Sequence, residues 1–404
     1  MKRCLFLLIL CWALAAGARA ADFGLVLNPE GEYVSDPAGE GFGFTAGVKP
    51  WLSAALGETL GLYLSGKLTL EYEYETQSWA DPFLAELERT ELNFRPASWV
   101  YLVLGRQFYR DGGGMIASGF FDGLSASLSL GQARLFLGGF YSGFQYKESA
   151  EILMTREDRD NYARPLDYDD PDTYFASRRV IVPLGLDFPG LFSRASFSLG
   201  GLAQIDVNKE PAQSLHTHYL EAQIGLEALD SLRLSLAGVG ARMDFEDDGA
   251  KRSFAAAFGL DWDLPGALRD MLSAELRWGG GAVDGKTGPF MPVSSIAQGT
   301  VFKPGLSGLM DARAFYTMRP HESLSVSLGA VAFWRTDLET FTDAELDPSS
   351  KDRFLGTEAS ATLIWALDSA LRLNAGGGAF LPGGAFAEDA APRWEARAGL
   401  ALSL

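Results

Sequence analysis

Beyond its first twenty residues the sequence has no cysteine; the only two, Cys4 and Cys11, fall inside MKRCLFLLILCWALAAGARA. Residues 21–404 therefore offer no disulfide, no thiol nucleophile and no thiolate metal ligand. Histidine is nearly as scarce, with only His216, His218 and His321. His216-Thr217-His218 would place two imidazoles on one strand face, half of a zinc site, but no third ligand stands nearby. There is no G-x-S-x-G, so a serine hydrolase is the least favoured reading. Basic residues number 34 against 52 acidic ones, a formal charge of −18. A nucleic-acid partner, which needs a basic face, is excluded on that balance. After residue 20 no apolar run reaches the roughly 18 residues of a membrane-spanning helix. No Pro- or Ser-rich linker divides the chain, and 21–404 reads as a single domain.

The first twenty residues have a basic start (Lys2, Arg3), an apolar stretch from Cys4 to Ala16 and an A-x-A site at Ala18-Arg19-Ala20. That pattern predicts a cleaved secretory signal peptide over residues 1–20. Removing its three basic residues leaves 31 against 52, or −21.

What the chain has in abundance is glycine, 46 of 404, and alternation. Leu68, Leu70, Tyr72 and Tyr74 fall on one face and Thr69, Glu71, Glu73 and Glu75 on the other. The same alternation runs through 195–208, 220–227 and 358–365, and from Trp394 to the last residue, Leu404. Period two means strands with one apolar and one polar face. These strands exceed the five or six residues usual in soluble sandwiches and match the roughly 9–11 residues that cross a bilayer when tilted. Aromatics near strand ends, among them Trp51, Trp99, Trp278, Trp334, Trp365 and Trp394, fit interfacial girdles. The expectation is an all-β protein, a transmembrane antiparallel up-and-down β-barrel of the bacterial outer membrane. Nineteen segments qualify, those at 23–34 and 290–303 with the least regular alternation. Because single-chain barrels carry an even number of strands, 18 are expected and 16 are the next choice. The terminal strand resembles the signal read by the barrel assembly machinery, although it ends on Leu404 rather than an aromatic residue.

Two acidic stretches interrupt the pattern, 147–173 and 337–352. The first carries Glu157, Asp158, Asp160, Asp169, Asp170 and Asp172, and is expected either to stay in solvent or to fold inward as a constriction; Ca²⁺ binding by its carboxylates is the sharper alternative, without an EF-hand spacing to support it.

Leu104-Gly105-Arg106-Gln107-Phe108-Tyr109-Arg110-Asp111-Gly112, followed by Gly119-Phe120-Phe121-Asp122-Gly123-Leu124, resembles the alginate-export family of outer-membrane porins. The close resemblance covers only about 86–130. It implies an 18-stranded barrel passing an anionic polysaccharide or small solutes through an Arg-lined lumen. Arg95, Arg106 and Arg110, with Asp111 and Asp122 as partners, are the candidate lumen residues, together with Glu71, Glu73 and Glu91 from the alternation. No catalytic residue, cofactor or metal is expected. The partners expected are outer-membrane lipid and a small hydrophilic solute, with the oligomeric state open between trimer and monomer. The function expected is a porin for small hydrophilic solutes, ions or oligosaccharides; an adhesin or structural barrel with a closed lumen is the alternative.

GGAVDGKTG, residues 280–288, matches the phosphate-binding P-loop pattern. A P-loop must open a helix, whereas Gly288-Pro289 follows Thr287 at once. The stretch is read as a connection between two strands, with turn chemistry at Asp284-Gly285 and no nucleotide.

Overall fold

A computed structural model describes residues 20–37, 39–73, 78–79, 83–208, 214–246, 249–283 and 285–404. The expected signal peptide (apart from Ala20), Glu75, Asp247, Asp248 and Asp284 lie outside the described residues, as does the side chain of Glu73.

The strands are β1 (Ala20–Asp36), β2 (Gly39–Ala55), β3 (Leu60–Glu73), β4 (Ser78–Trp79), β5 (Leu84–Ala97), β6 (Val100–Arg110), β7 (Ser118–Leu130), β8 (Ala133–Tyr141), β9 (Arg179–Leu191) and β10 (Ala195–Asp206). They continue with β11 (Leu215–Leu229), β12 (Leu232–Phe245), β13 (Gly249–Asp263), β14 (Met271–Gly279), β15 (Leu309–His321), β16 (Leu324–Arg335), β17 (Phe354–Ala366), β18 (Leu371–Pro382) and β19 (Arg393–Ser403). Each stave pairs antiparallel with the next, and β1 pairs with both β2 and β19, so the sheet closes. The two-residue β4 only extends the edge of β3, whose true neighbour is β5. Setting β4 aside, 18 staves form a closed up-and-down barrel without a free edge. The segment at 290–303 is not one of them: it alternates, but it lies inside the barrel, with Phe290 and Val293 fully buried.

Alternation places the side chains as the sequence suggested. On β11, Leu220, Ile224 and Leu226 are exposed while Thr217, Tyr219 and Glu221 are buried. Leu236, Phe254, Phe258, Leu276, Leu328 and Leu400 extend the exposed apolar surface around the wall. A continuous apolar outer band of this kind belongs in hydrocarbon rather than water. Trp278, Trp334, Trp365 and Trp394 share its register. Trp51 does not: it stands on the inner face with Lys49 and covers Gly24.

The connections sort by end. Those at one end are short, such as 98–99, 131–132, 230–231 and 322–323; those at the other include 111–117, 142–178, 280–308, 336–353 and 383–392. The long ones do not simply extend into solvent. Met115, Ile116, Ile152, Met154, Phe290, Val293 and Leu306 pack with Phe121, Phe140, Leu202, Tyr219, Val239 and Met243 from the inner faces of β7–β12. A second apolar cluster joins Phe302, Leu355, Ala385 and Phe386 to Val331, Phe333 and Phe380 on β16–β18. The lumen is thus narrowed by the chain's own connections.

Candidate functional site

The narrowing begins at one glycine pair. β6 and β7 form a hairpin in which Gly105 faces Gly123 and Arg106 faces Asp122. β5 pairs with β6 only as far as Thr90–Arg106, and β8 with β7 only as far as Tyr141–Asp122. Above that line residues 107–121 leave the wall. Gly105 makes the departure with φ +114°, and a Cβ there would run into the Thr90 carbonyl; a Cβ at Gly123 would run into that of Gly139. The hairpin then folds inward. Tyr109 stacks on Phe136 with ring centroids 5.7 Å apart, and Phe121 lies against Phe140 at 6.1 Å. At its tip Asp111 accepts from the backbone N–H groups of Met115 (2.9 Å), Ile116 (2.9 Å) and Ala117 (2.6 Å). The tip reaches across to β11, four staves beyond β7, where Glu221 accepts from Gly113 N–H. Val293 N–H donates to Ile116 O at 2.7 Å, tying the 280–308 connection to it.

Arg106 is therefore not a lumen residue, contrary to the sequence-based expectation. Its register on β6 faces outward with Leu104, and it is buried in the seam opened by the departing hairpin. Nε and an amino group grip Asp122 at 3.0 and 2.8 Å, and the remaining donors reach Leu87 O across the seam and Phe144 O at 2.9 Å. Five donors in a rigid fork suit this closing role. Arg106→Ala would leave Asp122 unpaired against the wall, a loss of roughly 1.5–3 kcal/mol for hydrogen bonds to a charged group. The expected readout is a lower temperature for the folded-to-unfolded shift on heat-modifiable gels, with Arg106→Lys recovering only part of it. An unchanged shift would show that the seam does not depend on Arg106.

The gap that the hairpin leaves is filled by 142–178, which carries helices α1 (Lys147–Ala150) and α2 (Arg156–Tyr162). Ser149 bonds Glu86, and Tyr168 and Tyr174 donate to the carbonyls of Phe83 (3.0 Å) and Ala85 (2.8 Å). Burial first, then the charge of Glu86, pushes the Tyr174 hydroxyl up to about 12, so it remains a donor. The acidic residues of this segment do not converge on an ion. Asp158 takes both its oxygens to Arg179 at 2.7 and 2.8 Å and caps α2 with Thr155. Asp160 faces Arg156, Asp170 faces Arg164 at 2.5 Å and Asp172 faces Arg178. Glu157 lies on α2 and Asp169 is exposed. Because each of these arginines comes from the same segment or its anchoring strand, the carboxylates are dispersed, and no group of three His, Asp or Glu able to hold a metal occurs among the described residues.

Apolar cover is confined to β7–β13 and β15–β18. The inner faces of β19, β1, β2, β3 and β5 carry charge instead. Lys49 bonds Glu88 at 2.7 Å, Lys67 faces Glu86 at 3.7 Å, and Arg89 grips Glu91 bidentately at 2.6 and 2.7 Å. Glu395 takes Lys303 at 2.9 Å from above and Arg397 at 3.8 Å from its own strand. Glu30 and Glu32 share this face on β1, and Glu71 on β3. Seven carboxylates (Glu30, Glu32, Glu71, Glu86, Glu88, Glu91, Glu395) thus face six cations (Lys49, Lys67, Arg89, Arg95 and Arg397 from the wall, Lys303 from above it).

Among the sequence-based candidates, Glu91 and Glu71 lie on this wall, and Arg95 stands at its short-turn end with its guanidinium over the Tyr101 ring. Arg110 is exposed on the inward hairpin; Asp111 is buried and holds the tip rather than facing water. Lys49, Lys67, Glu86, Glu88, Glu395 and Arg397 were missed. Lys67 was legible, since it continues the Thr69-Glu71 face; Arg397 and Glu395 lie on the polar face of the terminal strand.

GGAVDGKTG occupies neither a P-loop nor a two-stranded turn. It opens the long inward connection, and Arg252 N–H donates to Lys286 O while Gly288 N–H donates to Arg252 O, a single parallel bridge against β13.

No family model matches the chain, and no curated relative does. Solved structures do, at low identity. Pseudomonas aeruginosa OccK5 (OpdH) superposes with a TM-score of 0.63 at 11% identity, over 96% of this chain and 99% of that one. OccK2 (OpdF) of the same organism, solved in complex with glucuronate, gives 0.60 at 12%, over 96% and 98%. The P. aeruginosa outer membrane protein opdK gives 0.59 at 13%, over 96% and 99%. The likeness runs the full length of the barrel and establishes the fold.

Proposed function

We propose that this chain is a porin of the bacterial outer membrane, passing small hydrophilic solutes by passive diffusion. The observation that carries the reading is the division of the lumen. Inward connections close β7–β13 and β15–β18 with apolar packing, and leave the wall from β19 to β5 lined with paired charges. A closed structural barrel has no need to keep one wall polar and the rest dry, which weighs against an adhesin. An apolar outer band and an N-terminal secretory pattern support the location.

The excess of carboxylates makes the passage prefer cations or solutes with a cationic group, because lumen charge sets selectivity. One barrel of the same fold was solved with glucuronate, a carboxylate; the acidic wall here argues against carrying that preference across. Export of a polyanion, implied by the alginate-export resemblance, meets the same objection. The arginine of its shared motif is, moreover, committed to the seam. Reconstitution in a planar bilayer tests this reading. Discrete conductance steps and a reversal potential shifted toward the cation side in a KCl gradient are expected; a barrel that folds and inserts without conducting would overturn it.

A further inference from the structure

On most staves the outward position near the long-loop end is aromatic or apolar: Trp278, Met310, Trp334, Trp394, Tyr33. β11, β12 and β13 break the pattern. His218 is registered with Arg242, and Arg242 with Arg252, in one row across three strands. Their flanking residues Thr217, Ala241 and Ser253 are buried on the inner face, so the row points outward, and the side chains of His218 and Arg242 are 55% and 66% exposed. Arg242 gives only Nε to Asp244, at 2.9 Å, and Arg252 has no acidic partner among the described residues. Asp244, on the same outer face, also lies 4.0 Å from His218 Nε2, so Arg252 and the amino groups of Arg242 are the cationic donors the row leaves open toward the outside.

Depth gives the row its meaning. Directly below it the outward residues become apolar, from Leu220 to Leu229 on β11, about the 9–11 residues that cross the hydrocarbon. The row thus stands where outer-leaflet headgroups begin. Below Arg242 on the same face come Gly240 and Gly238, between Leu220 on one side and Phe254 on the other. A Cβ at Gly238 would meet nothing within 4 Å, and one at Gly240 would touch only the Phe254 ring at 3.9 Å, so the two glycines leave a slot in the outer wall that is open at Gly238 and edged by Phe254 at Gly240.

We infer that this face binds a phosphorylated glycolipid of the outer leaflet, its phosphate on Arg242 and Arg252 and one acyl chain in the Gly240–Gly238 slot. Guanidinium forks suit phosphate oxygens, and the slot supplies apolar contact continuous with the charge above it. A free phosphate would use only the arginines; a lipid uses both. The inference rests on the outer-membrane reading but not on conductance.

Native mass spectrometry of the purified barrel titrated with lipid A, with the same lipid stripped of its phosphates, and with inorganic phosphate tests it. The wild type is expected to retain lipid A in preference to the dephosphorylated lipid. Arg242→Ser with Arg252→Ser should weaken retention roughly thirtyfold, the loss of two cation contacts near a headgroup, and Gly238→Leu should weaken it with both arginines in place. Unaltered conductance in these variants, whose changes lie outside the lumen, would show that they fold. Equal retention in wild type and double variant, equal binding of the dephosphorylated lipid, or full competition by inorganic phosphate would each overturn the site. A wild type that retains lipid A but does not conduct would leave this inference standing and remove the porin reading.

Discussion

Excising residues 111–118 and joining β6 to β7 through an Asn-Gly turn is expected to raise single-channel conductance several-fold. The tip deleted is the part that crosses to Glu221 and carries Met115 and Ile116 into the lumen core. Its removal also frees the anchor of Val293, so the 280–308 connection loses one of its ties. The barrel itself should survive, because the Gly105–Gly123 departure and the Arg106–Asp122 grip lie below the cut. Wild-type conductance from the excised barrel would show that the hairpin is not the constriction.

The second large effect is expected at Arg179. It is fully buried at the long-loop end of β9, bonded to Asp158 on α2 and to Asp206 on β10, and Asn208 adds a bond to Asp158 at 3.3 Å. Arg179→Leu leaves two carboxylates buried without a counter-charge, a cost of about 3–5 kcal/mol. That cost falls on the docking of 142–178 rather than on the staves, whose ladders are intact. Protease added to whole cells should therefore cut between residues 147 and 173 in the variant and not in the wild type. Arg179→Leu combined with Asp158→Leu and Asp206→Leu should recover much of the protection. Resistance of the single variant would show that the segment is held elsewhere.

These two sites also mark how far the sequence could be read. Most strand positions, the closed barrel and the side most residues face were legible, Trp51 and Arg106 excepted, because period-two alternation reports directly on an apolar exterior and a polar lumen. The terminal strand and Lys67-Thr69-Glu71 show this at its clearest. The paths of the connections were not legible. Residues 290–303 alternate because Phe290 and Val293 pack against the inner wall, and period alone does not separate that from a stave. Arg106 shares the register of the apolar Leu104, so alternation alone does not place it in the lumen; the positive φ of Gly105 and the end of pairing at Thr90 explain how a charge is buried there. Nor could the acidic segment be read as spent charge. Its key partner, Arg179, lies 21 residues from Asp158, and Arg393, which holds Asp343 and Glu345, lies 50 and 48 residues from them.

The central claim is that solutes pass along the wall from β19 to β5 and not through the apolar plugs. Since the chain beyond residue 20 has no cysteine, single cysteines can report on this without background. Thr45, on the inner face of β2 opposite Glu30, stands on the proposed path; Val331, 4% exposed on β16, stands under the second plug. A charged methanethiosulfonate added to the bilayer chamber should label Thr45→Cys and cut its conductance while leaving Val331→Cys unlabelled and unchanged. Block through Val331→Cys with Thr45→Cys unaffected would place the passage on the other side of the lumen and contradict the account.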